Sequence, residues 1–202
     1  MTATTLSASA INGLILGTYS GDMLTMGAPN GHISGTFNAS WLTLETTNGA
    51  IDVDATVYHG LIFTSTNAPI RGPISFVGNA KTFSAELSTS NNAIDVRVPK
   101  LPYGAALSLN ARSANAAASL VLPATFEGRI WQGTSNSGTP KLNVAKNLRD
   151  PVDKRREYVV ASVTGGKGHR EDLVGWGTAR GAGNITVATS NGASAVSIVQ
   201  EP

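Results

Sequence analysis

Thr46-Thr47-Asn48-Gly49-Ala50-Ile51-Asp52-Val53 is the stretch from which the architecture can be read, because close copies of it return along nearly the whole chain. The copies are anchored by Asn12, Asn30, Asn48, Asn67, Asn91, Asn115, Asn136 and Asn191, at spacings of 18, 18, 19, 24, 24, 21 and 55 residues. A period near 20 that swells by whole loops is the pattern of a stacked-repeat architecture, in which each unit needs its neighbours to bury its apolar face. The interval of 55 must hold an insertion.

Asparagine followed by Gly, Ala or Asn is a turn signal, since Asn tolerates left-handed backbone and its amide bonds the chain two residues on. Apolar residues alternate after the corner, as in Ile51, Val53, Ala55 and Val57 or Ile94, Val96 and Val98, while Asp52, Asp54, Asp95 and Arg97 take the other face. The approach alternates too, with Leu42 and Leu44, Phe83 and Leu87, Leu107 and Leu109, and Ile185 and Val187. These are half-buried strands, so one unit reads as strand, Asn corner, strand, loop. The fold class expected is all-β: a β-solenoid of about eight parallel coils with a hairpin insertion near the C-terminus. A two-sheet β-sandwich shows the same alternation and is the alternative. Repetition of one corner favours the solenoid, because stacked identical corners let Asn and Thr side chains bond along a ladder.

Within a single domain over residues 1–202, the pattern divides the chain into an N-terminal cap coil (1–27), regular coils (28–140), a basic insertion (141–180) and a final coil (181–202). Met23, Leu24 and Met26 are expected to close the open end of the core. The insertion holds nine of the fifteen basic residues against five acidic ones, yet mixed runs such as Asp150-Pro151-Val152-Asp153-Lys154-Arg155-Arg156-Glu157 read as solvated loop. Residues 158–163 and 174–176 on either side of Gly165-Gly166-Lys167-Gly168-His169 read as two strands joined by a flexible turn. That glycine run lacks the Walker spacing and a following helix.

Composition excludes several classes. Hydrophobic residues make up 41% of the chain, too many for disorder. There are no cysteines, which removes disulfides and thiolate sites. No stretch approaches the roughly 18 apolar residues of a membrane span. The N-terminus has no basic n-region or apolar h-region, so no signal peptide is read, and a cytoplasmic or non-classically secreted protein is expected. His32, His59 and His169 are scattered, no metal or other cofactor is expected, and nothing points to nucleic acid.

The Thr-Ser-Asn-Gly/Ala-x-Ile units, the Leu122-Pro123-Ala124-Thr125-Phe126-Glu127-Gly128 stretch, the Arg149-Asp150-Pro151 segment with Arg155-Arg156, and residues 183–192 together resemble a functionally unassigned family from mushroom-forming fungi. More loosely, the repeats are similar to bacterial adhesin domains that form β-solenoids. The resemblance implies a solenoid and leans toward surface binding or adhesion, with no catalytic residue to carry over.

Two function classes follow. The first is a non-enzymatic binding or adhesion module, most concretely a carbohydrate-binding lectin, with a carbohydrate or protein surface as partner. A structural, self-assembling homo-oligomer is not separable from it. The second is a polysaccharide-processing enzyme on a β-helix, for which Asp52 and Asp95 are the only paired carboxylates. They occupy equivalent places, roughly 5 Å apart in adjacent repeats and about twice that if the Asn67 unit intervenes. Convergent acids are otherwise missing, so the expectation is not an enzyme. Loops of repeat proteins commonly carry binding residues, which makes Trp176, Tyr158, His169 and Arg170 the first candidates for ligand contact and Trp131 the second. Parity also puts Trp41 on an outer face.

Overall fold

The computed structural model describes residues 4–136, 139–166, 168–177 and 181–200. Lys167 of the glycine run, Arg180 at the end of the basic insertion and Ser137-Gly138, which complete the Asn136 corner, lie outside them. The described residues form fifteen strands and no helix. In chain order they are β1 (Thr5–Ser9), β2 (Ile15–Ala28), β3 (Ile33–Thr46), β4 (Ile51–Ser65), β5 (Ile70–Phe76), β6 (Thr82–Thr89), β7 (Ile94–Arg97), β8 (Ala106–Ser113), β9 (Ala118–Pro123), β10 (Gly128–Thr134), β11 (Lys141–Val144), β12 (Tyr158–Gly166), β13 (His169–Trp176), β14 (Gly183–Thr189) and β15 (Ser194–Val199). All join one large, curled, mixed sheet.

Strands of successive repeats pair in parallel and in register. Ile15 lies opposite Ile33, Ile33 opposite Ile51, Ile51 opposite Ile70 and Ile70 opposite Ile94. This column of identical β-branched side chains is buried along its length, a packing that parallel, in-register pairing alone produces from an identical repeat. Because side chains alternate, the same register that buries Ile51 and Val53 sends Asp52 outward.

At β4 the sheet divides. Its first half (51–57) carries β5, β7, β9, β15 and β11 in turn; its second half (60–65) carries β6, β8, β14, β10, β13 and β12. The apolar faces of both arms enclose one core. Antiparallel pairing is confined, among the described residues, to β10 with β13 and β13 with β12.

The corners are held twice. On the outside, each Asn Nδ2 donates to the Oδ1 of the Asn in the neighbouring repeat, from Asn30 to Asn12, Asn48 to Asn30, Asn67 to Asn48, Asn91 to Asn67 and Asn115 to Asn91, at 2.7–3.0 Å. Inside, Thr46, Ser65, Thr89, Ser113 and Thr189 are buried and bond corner carbonyls, as in Thr46 Oγ1 to Gly49 O and Ser113 Oγ to Asn92 O. A buried hydroxyl is tolerated only when bonded, so the Ser/Thr before each corner satisfies backbone that the turn takes out of the ladder. Corners also press together: a Cβ on Gly49 would lie 1.8 Å from Gly31 O.

The order of the repeats differs from their order in the chain. The Asn ladder runs from Asn115 to Asn191 and only then to Asn136. β14 lies between β8 and β10, and β15 between β9 and β11. Residues 183–199 therefore slot into the stack between residues 106–123 and 128–144, rather than following everything before them. β11 belongs to the stack, so the segment that departs from it is narrower than 141–180, comprising the loop at 145–157 and the β12–β13 hairpin.

At the N-terminal end, Leu24 and Met26 are buried as expected, but Met23 is 51% exposed and points outward. Among the described residues β1 pairs with residues 23–27 of β2, and none pairs with the outer edge of its first half, beside the exposed Ile11, Leu14 and Leu16.

Two outcomes are expected. Ile51→Ala, which opens a gap in the middle of the isoleucine column, should cost about 2–5 kcal/mol in chemical denaturation. In native-state hydrogen exchange the amides of Ile130 and Ile185 should open with the same free energy, because residues 128–144 join the rest of the stack through 183–199. Retained protection of Ile130 while Ile185 exchanges would contradict the interleaved order.

Candidate functional site

The hairpin is built onto the stack by the residues whose aromatic and basic chemistry makes them ligand candidates in the sequence. Trp176 is 1% exposed, with its Nε1 donating to Ala124 O at 2.7 Å and its backbone N to the Glu127 carboxylate at 3.1 Å. Tyr158 packs edge-on against it at 5.1 Å and its hydroxyl donates to Phe126 O at 2.6 Å. Burial, and secondarily the charge on Glu127, push the Tyr158 hydroxyl well above the ordinary tyrosine range, so it stays a donor. Both rings thus fasten the hairpin to the 122–128 segment, Trp176 fully buried and Tyr158 partly so.

Arg170 is likewise committed. Its Nε and second guanidinium nitrogen reach the two oxygens of Asp172 at 2.5 and 3.0 Å, and Ser162 Oγ adds a bond at 3.0 Å. Asp172 is fully buried at the end of the core column that runs through Ile185 and Ile130. A buried carboxylate needs a paired cation. The hydrogen bonds that Arg170 donates to Asp172 raise its pKa above the ordinary value, which keeps the guanidinium as that partner.

A cleft of about 440 Å³ does bring two of the candidates together, Trp131 and His169. It lies on the outer face where β6, β8, β14 and β10 approach their corners, and Ser88, Ser90, Arg112 and Ser135 also line it. The register explains the meeting. His169 stands opposite Gly133, and Gly133 leads through Ala188 to Arg112 and Ser88, one outward row across five strands. Gly168, at φ 85°, accepts from Thr134 N at 2.6 Å, which pins the hairpin's turn beside the cleft. A Cβ there would come 2.5 Å from Thr134 O, so the contact requires glycine.

Trp131 is 37% exposed. A Cβ on Gly133 would fall within 3.0 Å of three carbons of its six-membered ring, meaning that the indole lies across the glycine with one face on the sheet. Its other face, the imidazole of His169, the guanidinium of Arg112 and several hydroxyls give the cleft a flat π surface beside neutral and cationic donors. Arg112 Nε is oriented by Asn110 Oδ1 at 3.0 Å. Strand parity makes Arg112 outward, since Leu107, Leu109 and Ala111 face in, but parity alone does not place it opposite a hairpin sixty residues away.

The charged run at 150–156 is a clasp. Asp150 accepts from the backbone N of Val152, Lys154 and Arg156 and from both ends of the Arg156 guanidinium, at 2.6 and 2.8 Å. Arg156 in turn lies over the ring of Tyr103 and bonds its hydroxyl. The Arg156 hydrogen bond, against an opposing contribution from burial and with help from the backbone donors, holds the Asp150 carboxyl well below the usual carboxylate range. Asp52 and Asp95, the one carboxylate pair suggested by the repeats, are separated by Arg71 in the outward row.

A family model described as a domain of unknown function (DUF7330) matches residues 20–158. No curated protein and no solved structure matches.

Because the Asp150 pKa is depressed on folding, the clasp contributes stability that is complete above the ordinary carboxylate pKa of about 3.9 and is lost as the pH falls below it. The amide resonances of Val152 and Arg156 should therefore hold constant down to that range and move only beneath it. At neutral pH Asp150→Asn should open the segment and speed trypsin cleavage after Arg155 and Arg156 relative to the native chain.

Proposed function

The chain belongs to the DUF7330 family, a domain of unknown function, and from that premise we propose, on its surface chemistry alone, a non-enzymatic carbohydrate-binding module built on a β-solenoid. In-register parallel pairing through six repeats and the unbroken Asn ladder support the solenoid. The observation that carries the binding function is the Trp131 indole lying flat across Gly133 in the wall of the cleft. A pyranose ring offers a face of C–H bonds and an equatorial rim of hydroxyls. The first suits the electron-rich face of an indole, and the second suits the serine hydroxyls, His169 and Arg112 at the rim. A few placed polar groups around an apolar surface are the general form of a small-ligand site.

Self-assembly is a second reading, favoured by the uncovered half of β2. Residues 1–21 carry no charged side chain, and Ile11, Leu14 and Leu16 are exposed beside the open edge. Edge strands are ordinarily guarded by charge or proline. Concentration-dependent sedimentation that Leu16→Lys abolishes would support it.

For the carbohydrate reading, the native protein should retain a defined subset of a glycan array. Trp131→Ala should weaken binding to those glycans about tenfold or more, equivalent to 1.4 kcal/mol per factor of ten, with thermal stability little changed because the ring lies outside the core. Undiminished binding by Trp131→Ala would move the site elsewhere, and an array without binders would remove the reading.

A further inference from the structure

The outer face of the second arm carries another tryptophan in the same posture. Trp41 is 48% exposed. It lies over Gly60 of the next strand, where a Cβ would come 2.5 Å from Cζ3 and 3.0 Å from Cε3 of the indole. Between Ala39 and Trp41 the β3–β4 register shifts, so that one residue of β3 faces two of β4, Tyr58 and His59, both of them exposed. Bulges re-aim side chains in this way, and His59 lies nearly parallel to Trp41, the planes 12° apart and the centroids 6.1 Å apart, an offset that sets the imidazole alongside the indole and leaves the outer face of the ring open. Beside this pair, Asp22, Asn38, Ser40 and Tyr58 line a second depression of about 360 Å³. Both tryptophans therefore lie flat on one sheet face over a position kept free of a Cβ, each with an imidazole-bearing residue and a polar hollow beside it.

Between them the surface is mostly polar. From Gly60 the outward row runs to Ser84, Ser108, Asn184 and Arg129, whose guanidinium is paired with Glu171. The next row, which ends at Trp131, passes from Ile62 through Glu86, Asn110 and Thr186. From β3 to β10 is five strand steps, roughly 24 Å at about 4.8 Å per step. Hydroxyls and amides dominate the strip, which fits an uncharged ligand better than an acidic one.

We propose that the ligand is a linear, uncharged, β-linked polysaccharide lying along the stack, with one ring on Trp131 and another, several units away, on Trp41. This rests on the reading of the Trp131 cleft as a saccharide site. A β-1,4-linked chain is a flat ribbon whose rise per ring is close to the spacing of the strands, so successive rings meet successive strands of the polar surface. A disaccharide reaches only one platform, and a hexasaccharide reaches both.

The test is calorimetric titration of the full chain with cello- and chito-oligosaccharides, each as disaccharide and hexasaccharide. In the better-bound series the hexasaccharide should bind at least about tenfold tighter than the disaccharide. Trp41→Ala should erase that gain while leaving binding of the disaccharide unchanged, and His59→Ala, which removes only the stacked imidazole, should erase part of it. Trp131→Ala should weaken both lengths. Equal affinity for the two lengths, or a Trp41→Ala protein that keeps the full gain at an unaltered melting temperature, would overturn the strip and leave the cleft standing. Failure of both series to bind the native chain would overturn the proposal, and the glycan array then decides separately whether the cleft takes another sugar.

Discussion

Everything in this structure depends on the requirement that each repeat lie on its neighbour in parallel and without a slip. A shift of one residue would carry the Ile15–Ile33–Ile51–Ile70–Ile94 column to the solvent face. The corners prevent it. Each exposed Asn–Asn bond contributes little in water, on the order of 0.5–1.5 kcal/mol, but an amide must donate to one neighbour and accept from the other, and this is satisfied at a single register. The buried Ser/Thr hydroxyls repeat the constraint inside, where an unmade bond costs more.

Much of this was legible in the chain. Asparagine corners and alternating apolar residues identified an all-β repeat and marked Ile51 and Ile94 as buried, because turn chemistry and side-chain parity act over a few residues. What the chain concealed is long-range. Nothing local to Asn191 says that its neighbour is Asn115, 76 residues away, and not Asn136. The structural roles of the ligand candidates were illegible for a related reason. Trp176, Tyr158 and Arg170 sit in an irregular, basic segment that suggests an exposed loop, but Trp176 and Tyr158 bond the carbonyls of Ala124 and Phe126 in the turn between β9 and β10, and Arg170 pairs with Asp172, two residues along its own strand, which is buried only because β13 docks on β10. Trp131 and His169 meet only because β13 docks on β10, and parity could mark each as outward without bringing them together.

Two of the stretches that carried the family resemblance are the hairpin's fastenings. Residues 122–128 receive Trp176 and Tyr158, and the Asp150–Arg156 clasp ties the incoming loop to Tyr103. Their chemistry is spent on shape. They cover one end of the stack and hold His169 at the rim of the cleft, while the opposite end is covered only along half of β2. The stack is thus asymmetric, ending in antiparallel strands beside the Trp131 cleft and in a partly paired parallel strand beside Trp41.

The interleaved order of the repeats bears on how the protein is made. Synthesis releases residues 106–123 well before 183–199, and the intervening strands emerge while the place beside β8 and β9 is still empty. An ordinary repeat array grows by adding each unit to the last, and here that rule would join 128–144 directly to 106–123, a nascent arrangement with the wrong neighbours. The clasp and the hairpin, which fold from nearby sequence, give that stretch a shape of its own while it waits. The ribosome thus delivers one layer of the stack after the layer that lies beyond it, and the correct architecture belongs only to a chain that has left a gap for it.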